Sequence, residues 1–412
     1  MVSQNKEGAY LDRRSYLKGV GGATALGMTG LSGYTRQDDT LTVGLSTHFT
    51  SGAWVTAVVE ATRFYAEDQG FDYNLFTTGG ESQKQISDIR QMVNQDFDGI
   101  VLIPFNSQAI ASVVEEATNA GVPVFTVDID AATGADKMHF SWDDEAAARR
   151  AGEMLVENLR QQKSDQDQYQ VLEVRAPPGR DIARLRHEPF VNLIEQTDDV
   201  TVADTVVGDW VRSTSKQRTQ EWINANQPPD AIYSANFLMS LGALSALQEM
   251  DLAAPRGQDD HIVMTQLDGS QNTHEMIMEG FIDGAVDQPN YFYGPLALAY
   301  LERYVNEGES ALPSEGSTVT STKEPVTETG NQTTTATNAT TTASNGGGET
   351  ISIEPAQHRG VELWQAPIWS PATVGRALNH RQFVTSHVEI TEENADAPYL
   401  WGNIWGPDAS VE

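Results

Sequence analysis

The chain contains no cysteine. Disulfides, a thiol nucleophile and cysteine-based metal sites are therefore excluded. Lysine is scarce, and the basic residues are mainly arginine. Lys plus Arg is 26 against 58 Asp plus Glu, a formal charge of −32. Nucleic acid needs a basic footprint, so it is excluded as a partner. No stretch reads as a helix-turn-helix, and none is long and apolar enough for an ordinary membrane-spanning helix. What is present is an acidic, lysine-poor surface on a normal globular pattern. Such a surface suits high salt, which screens the self-repulsion. The 412 residues suffice for two or three domains with real cores.

Residues Asp12-Arg13-Arg14-Ser15-Tyr16-Leu17-Lys18 precede a Gly/Ala/Leu-rich run from Gly19 to Gly33. The pattern resembles a twin-arginine export signal. The alternative, an amphipathic first helix, is disfavoured by the glycines. Leu31-Ser32-Gly33 looks like the approach to a lipoprotein cleavage site, but Tyr34 stands where a lipidated cysteine would follow. A thioether lipid cannot form on tyrosine. The expectation is an exported, extracytoplasmic protein, at the cell surface or released.

From Leu41 the chain alternates apolar runs with helix-patterned stretches. Strands are expected at Leu41–Ser46, Asp72–Thr77, Gly99–Ile103 and Val122–Val127, and again at Tyr169–Val174 and Val200–Val206. The stretch from Ala231 to Pro289 adds three more runs, ending in Asn236, Asp268-Gly269 and Gln288-Pro289. This alternation implies an α/β fold of two doubly wound parallel-sheet lobes with right-handed crossovers. Residues 1–39 read as signal and linker. Residues 40–142 with 289–312 form the expected first lobe, and 143–288 with 351–412 the second. Residues 313–350, rich in Thr, Ser, Asn and Gly, read as a disordered insertion carrying sequons at Asn331 and Asn338. Polar or aromatic residues follow the strands, on the edge where open α/β sheets bind small ligands.

Here a family resemblance emerges. Leu45-Ser46-Thr47, Asp98-Gly99-Ile100, Gly121-Val122-Pro123-Val124 leading to Asp128, Asn236 with Leu241-Gly242-Ala243-Leu244, Asp268-Gly269 and Asp287-Gln288-Pro289 occur in one order. Together they resemble the periplasmic sugar-binding proteins of ABC importers, ribose-binding type, in a haloarchaeal-like acidic form. The resemblance spans Leu41 to about Asn306. It implies a type I periplasmic-binding-protein fold whose lobes close on a monosaccharide, whether pentose, hexose or polyol. It also implies delivery to a membrane ABC permease, a monomeric state, no enzymatic activity, no metal and no cofactor.

A sugar offers hydroxyls that donate and accept, and apolar C–H faces. The resemblance assigns Asp128 and Asp268 as acceptors for its hydroxyls and Arg186 as a forked donor. Asn236 and Gln288 would donate and accept, and Trp54 and Trp210 would sandwich the ring. Ser46, Asn106 and Trp142 complete the candidate set. Each has a plainer reading. Asp128, Asn236 and Asp268 fit turns or helix caps. Trp54 and Trp210 fit core packing, and Arg186 fits a surface ion pair, with Arg184 as its rival. The loop Thr47–Trp54 lacks the paired phenylalanines of ribose binders, and Ile129 replaces an arginine after Asp128, so ribose itself is not singled out. Two other functions compete: a sensing partner of a chemoreceptor or kinase, and a glycosidase using Asp128 and Asp268 as its acid/base pair. Trp364, Trp369, Trp401 and Trp405 mark a C-terminal segment longer than the family requires.

Overall fold

The computed structural model describes residues 40–164, 166–179, 181–323, 348–358 and 360–406. The expected export signal with Tyr34, and the sequons at Asn331 and Asn338, lie outside the described residues.

The first half runs β1 (Thr42–Thr47), α1 (Ala53–Asp68), β2 (Asp72–Thr77), α2 (Ser82–Asn94), β3 (Gly99–Leu102), α3 (Ala111–Asn119), β4 (Val124–Val127) and β5 (Met138–Trp142). The second runs α4 (Asp144–Gln162), β6 (Tyr169–Arg175), α5 (Asp181–Glu195), β7 (Val200–Val207), α6 (Arg212–Ala225), β8 (Ala231–Ser234), α7 (Phe237–Glu249), β9 (Val263–Leu267), α8 (Gln271–Met278) and β10 (Gly284–Asp287). Helix α9 (Tyr293–Glu307) then returns to the first sheet, packing on α1, β3, β4 and β5. Strands β1, β3, β4, β8, β9 and β10 are almost wholly buried, because helices cover both sheet faces. Both sheets carry the order 2-1-3-4-5 of a doubly wound fold. The first reads β2-β1-β3-β4-β5, the second β7-β6-β8-β9-β10.

Strand β5 was not expected. His139 and Ser141 interrupt its apolar run, yet both are buried. A larger correction concerns the C-terminal segment. Strands β11 (Thr318–Ser321), β12 (Glu349–Ile351), β15 (Ala372–Ala377) and β16 (His380–Thr385) extend the first sheet beyond β5 to nine strands. Residues 351–385 therefore do not belong with the second lobe. Phe383 registers against Phe140 of β5 and packs among Phe140, Tyr300 and Trp369, which fixes the assignment. Of that segment only β17 (Val388–Ile390) pairs with the second sheet, antiparallel to β10. The expected insertion is also narrower, since Val319 of β11 and Ile351 of β12 are both buried. β-branched threonine suits a strand when one face finds a core. Strands β13 (Ala356–His358) and β14 (Val361–Leu363) make a separate hairpin, and α10 (Trp401–Trp405) ends the described chain.

The chain crosses between the sheets three times: Trp142 to Asp144, Gln288 to Tyr293, and Thr385 to Val388. The crossings lie side by side. Thr385 registers with Trp142, and Val388 with Asp287.

Candidate functional site

Arg186 is the centre of the polar groups beside these crossings. Helix α5 buries it almost completely, at 2% exposure. Its Nε donates to Asp144 Oδ1 at 2.7 Å, and its Nη1 donates to Asp268 Oδ2 and to the Ala235 carbonyl, both at 2.9 Å. Burial opposes the guanidinium charge, but Asp268 and Asp144 outweigh it and raise Arg186 above its ordinary value. Asp144 is raised by burial against the pull of Arg186. A buried charge persists only when paired in this way. The guanidinium lies 5.4 Å from the Trp142 ring centroid and 5.7 Å from that of Trp210. Its Nη2 makes no hydrogen bond among the described residues. That leaves a donor pair of fixed direction between two indoles.

Asp268 carries the network onward. Its Oδ1 accepts from Gln288 Nε2 at 2.6 Å, and Gln288 Oε1 accepts from the Tyr293 hydroxyl at 3.0 Å. Gln288 sits on a crossing, and Tyr293 opens the helix that returns to the first lobe. Asp128 and Asp268 occupy matching positions, each one residue past the fourth strand of its sheet. Each has positive φ, 64° and 61°, and each donates its N–H to the fifth strand, at Phe140 and Val286. Aspartate tolerates this left-handed conformation better than most residues. Burial raises the Tyr293 phenol well above its ordinary value, and Asp128, Asp144 and Asp268 add to the rise. Carboxylates from both lobes thus fall within electrostatic reach of one hydroxyl.

The aromatic groups are strained or underused. Trp210 has φ 59°, a rare conformation for a bulky residue. Its indole N–H and that of Trp54 are buried without a hydrogen-bond partner among the described residues, as is Asn290 Oδ1. Asn290 Nδ2 donates to the Trp54 carbonyl, which ties α1 to the second crossing. Each unpaired buried polar group costs ~1–3 kcal/mol, a cost that a polar ligand would relieve.

The structure thus joins Trp142, Arg186, Trp210, Asp268 and Gln288 in one contact network, with Asp128 nearby and Trp54 linked through Asn290. It does not bring in the other three candidates. Ser46 is fully buried inside the first lobe, where its Oγ accepts from Gln85. Asn106 is exposed and its Oδ1 caps Ala109 N–H. Asn236 caps α7 through Met239 N–H, and only the neighbouring Ala235 carbonyl reaches Arg186. Arg184 pairs with Glu188 on the exposed side of α5. Asp144, Asn290 and Tyr293 were missed. Asp144 is hidden among the acidic residues of a helix start, Asn290 in the short turn before α9, and Tyr293 at the apolar start of α9. Their one available signal was position, just past a strand end.

Residues 43–310 match the family model described as periplasmic binding protein domain. The chain is 25% identical over 288 residues to a galactofuranose-binding protein of Escherichia coli, covering 68% of this chain and 87% of that protein. It is 24% identical over 256 residues to a ribose import binding protein of Bacillus subtilis, covering 62% and 79%. It also shares its fold with the periplasmic binding component of an arabinose ABC transporter from Shewanella sp. ANA-3, solved with bound arabinofuranose. There the TM-score is 0.58 at 24% identity, over 65% of this chain and 86% of that one. Strands β11 to β17 and helix α10 lie beyond the family match.

Proposed function

The chain belongs to the periplasmic binding protein family, and from that premise we propose that it captures a monosaccharide or polyol between its lobes for a membrane ABC permease. The observation that carries this reading is the network from Arg186 through Asp268 and Gln288 to Tyr293, with Asp128 of the other lobe within electrostatic reach of Tyr293. A ligand that accepts from Arg186 Nη2 and donates to Asp128 would stabilise the approach of the lobes only by touching both at once. The three crossings are the natural hinge. Trp54 and Trp210 would present flat faces to the C–H surface of a sugar and indole N–H groups to its oxygens.

The N-terminal twin-arginine pattern supports an extracytoplasmic location, and among the described residues no helix is long and apolar enough to cross a membrane. The relatives named above are binding proteins, which supports capture rather than turnover. The test is a thermal-shift screen of pentoses, hexoses and polyols in molar salt, followed by calorimetry of each hit. At least one sugar should raise the melting temperature and bind one to one, and be recovered unchanged. A screen without a hit, or conversion of the sugar, would remove the reading.

A further inference from the structure

The connection from β4 to β5 carries Asp130 and Asp136, and β16 opens with His380. One ligand atom from each of these residues lies within 4.8 Å of the others. His380 Nε2 is 3.2 Å from Asp130 Oδ2, and Nδ1 is 3.5 Å from Asp136 Oδ1. Neither contact has hydrogen-bond alignment. Both His380 ring nitrogens, Asp130 Oδ1 and Asp136 Oδ1 are buried without a hydrogen-bond partner among the described residues. Asp136 is 3% exposed and His380 4%. Unpartnered buried atoms on three adjoining side chains are unusual, because buried polar groups are ordinarily satisfied.

We propose that Asp130, Asp136 and His380 bind a first-row divalent cation of the zinc class. Spacing supports this. Two donors each about 2.0–2.1 Å from a tetrahedral zinc lie roughly 3.3 Å apart, close to the 3.2 Å between His380 Nε2 and Asp130 Oδ2. Charge supports it too. Two carboxylates face one imidazole, so acidic groups are in excess. A divalent ion would neutralise that excess. The surroundings fit a ligand set. Thr126 donates to Asp136 Oδ2 at 2.9 Å and lies 2.9 Å from His139 Nδ1, which fixes the carboxylate from behind. An imidazole ligand favours zinc, iron, copper or nickel over calcium. Asp130 is only half-buried and leaves room for water as the fourth ligand. The ion would staple the start of β16, beyond the family match, to the loop that follows Asp128.

The test uses the full chain, stripped with chelator and dialysed into molar salt to screen its acidic surface. Zinc chloride is titrated by calorimetry, and cobalt chloride by visible absorption. The expected result is one zinc per chain, a tetrahedral cobalt spectrum, and no displacement by calcium. His380→Gln and Asp136→Asn should each weaken zinc more than the ~10–100-fold that losing an outer partner costs, with unchanged circular dichroism. If Asp136→Asn fails to fold, Asp130→Asn at the half-exposed rim gives the same readout. Absence of zinc binding, or unchanged binding by His380→Gln, would overturn the site. His380 would then be only the cation of a double ion pair.

Discussion

Asp287 and His274 flank the same turn after β9, and their pH responses oppose each other. Asp287 Oδ1 accepts from Gly269 N–H, Gln288 N–H and the Trp401 indole. Burial still pushes its carboxyl up to about 7, against the Trp401 hydrogen bond and aided by Asp268. The folded state therefore holds this proton more tightly than the unfolded chain. Its contribution is present at low pH and is lost as pH rises from the ordinary carboxylate range through about 7. Burial pulls His274 the other way, down to about 4. Its contribution is present above 6.5 and is lost as pH falls toward 4. Asp287→Asn keeps the single oxygen that accepts all three hydrogen bonds. Urea unfolding at stepped pH should find this variant more stable than the parent above pH ~7 by about 1–3 kcal/mol, with the gap closing toward pH ~4. His274→Gln should instead lose less stability than the parent as pH falls across the histidine range. Parallel curves for parent and variant would contradict the corresponding assignment.

At the scale of elements, α10 links the lobes. Trp401 is fully buried, bonded to Asp287 and edge-on to Phe237 of α7, while Trp405 packs on Tyr291. Asn403 Oδ1 lies 2.8 Å from His274 Nδ1, and Tyr291 donates to the Tyr399 carbonyl. A side chain at Gly402 would run into the Ser270 backbone, so this helix seats only with glycine there. Trp401→Ala removes a large buried ring and the Asp287 donor together. It should cost about 3–5 kcal/mol, read as a drop in the urea midpoint. A loss below ~1 kcal/mol would show that α10 is dispensable. These elements also mark where the sequence was readable. The βα alternation of both lobes was legible, because doubly covered parallel strands appear as unbroken apolar runs. β5 was not, since its alternating His139 and Ser141 are buried rather than solvent-facing. Nor was the placement of β16, whose partner β5 lies about 240 residues earlier and leaves no local trace. Within the candidate site, Asp128, Asp268 and Gln288 stood out because strand ends announce themselves. Ser46 and Asn106 stood out for the same reason, yet their side chains serve local structure.

At the scale of the whole molecule, two sheets with matching order place two aspartates at matching strand ends. The crossings bring the groups around them together. The second-lobe set is held in advance by Arg186, Asp144 and Gln288, so little ordering remains to be done when a ligand arrives. In the proposed reading, the first-lobe set with Asp128 and Trp54 would supply the opposing wall. The central claim is that both walls grip one sugar. Its most direct test is calorimetric titration of the best ligand from the screen into the parent protein, Asp128→Asn and Asp268→Asn. Both variants should bind at least ~10-fold more weakly, as expected for losing a charged hydrogen-bond acceptor, while keeping the parent's circular dichroism. Unchanged affinity in either variant would contradict the claim.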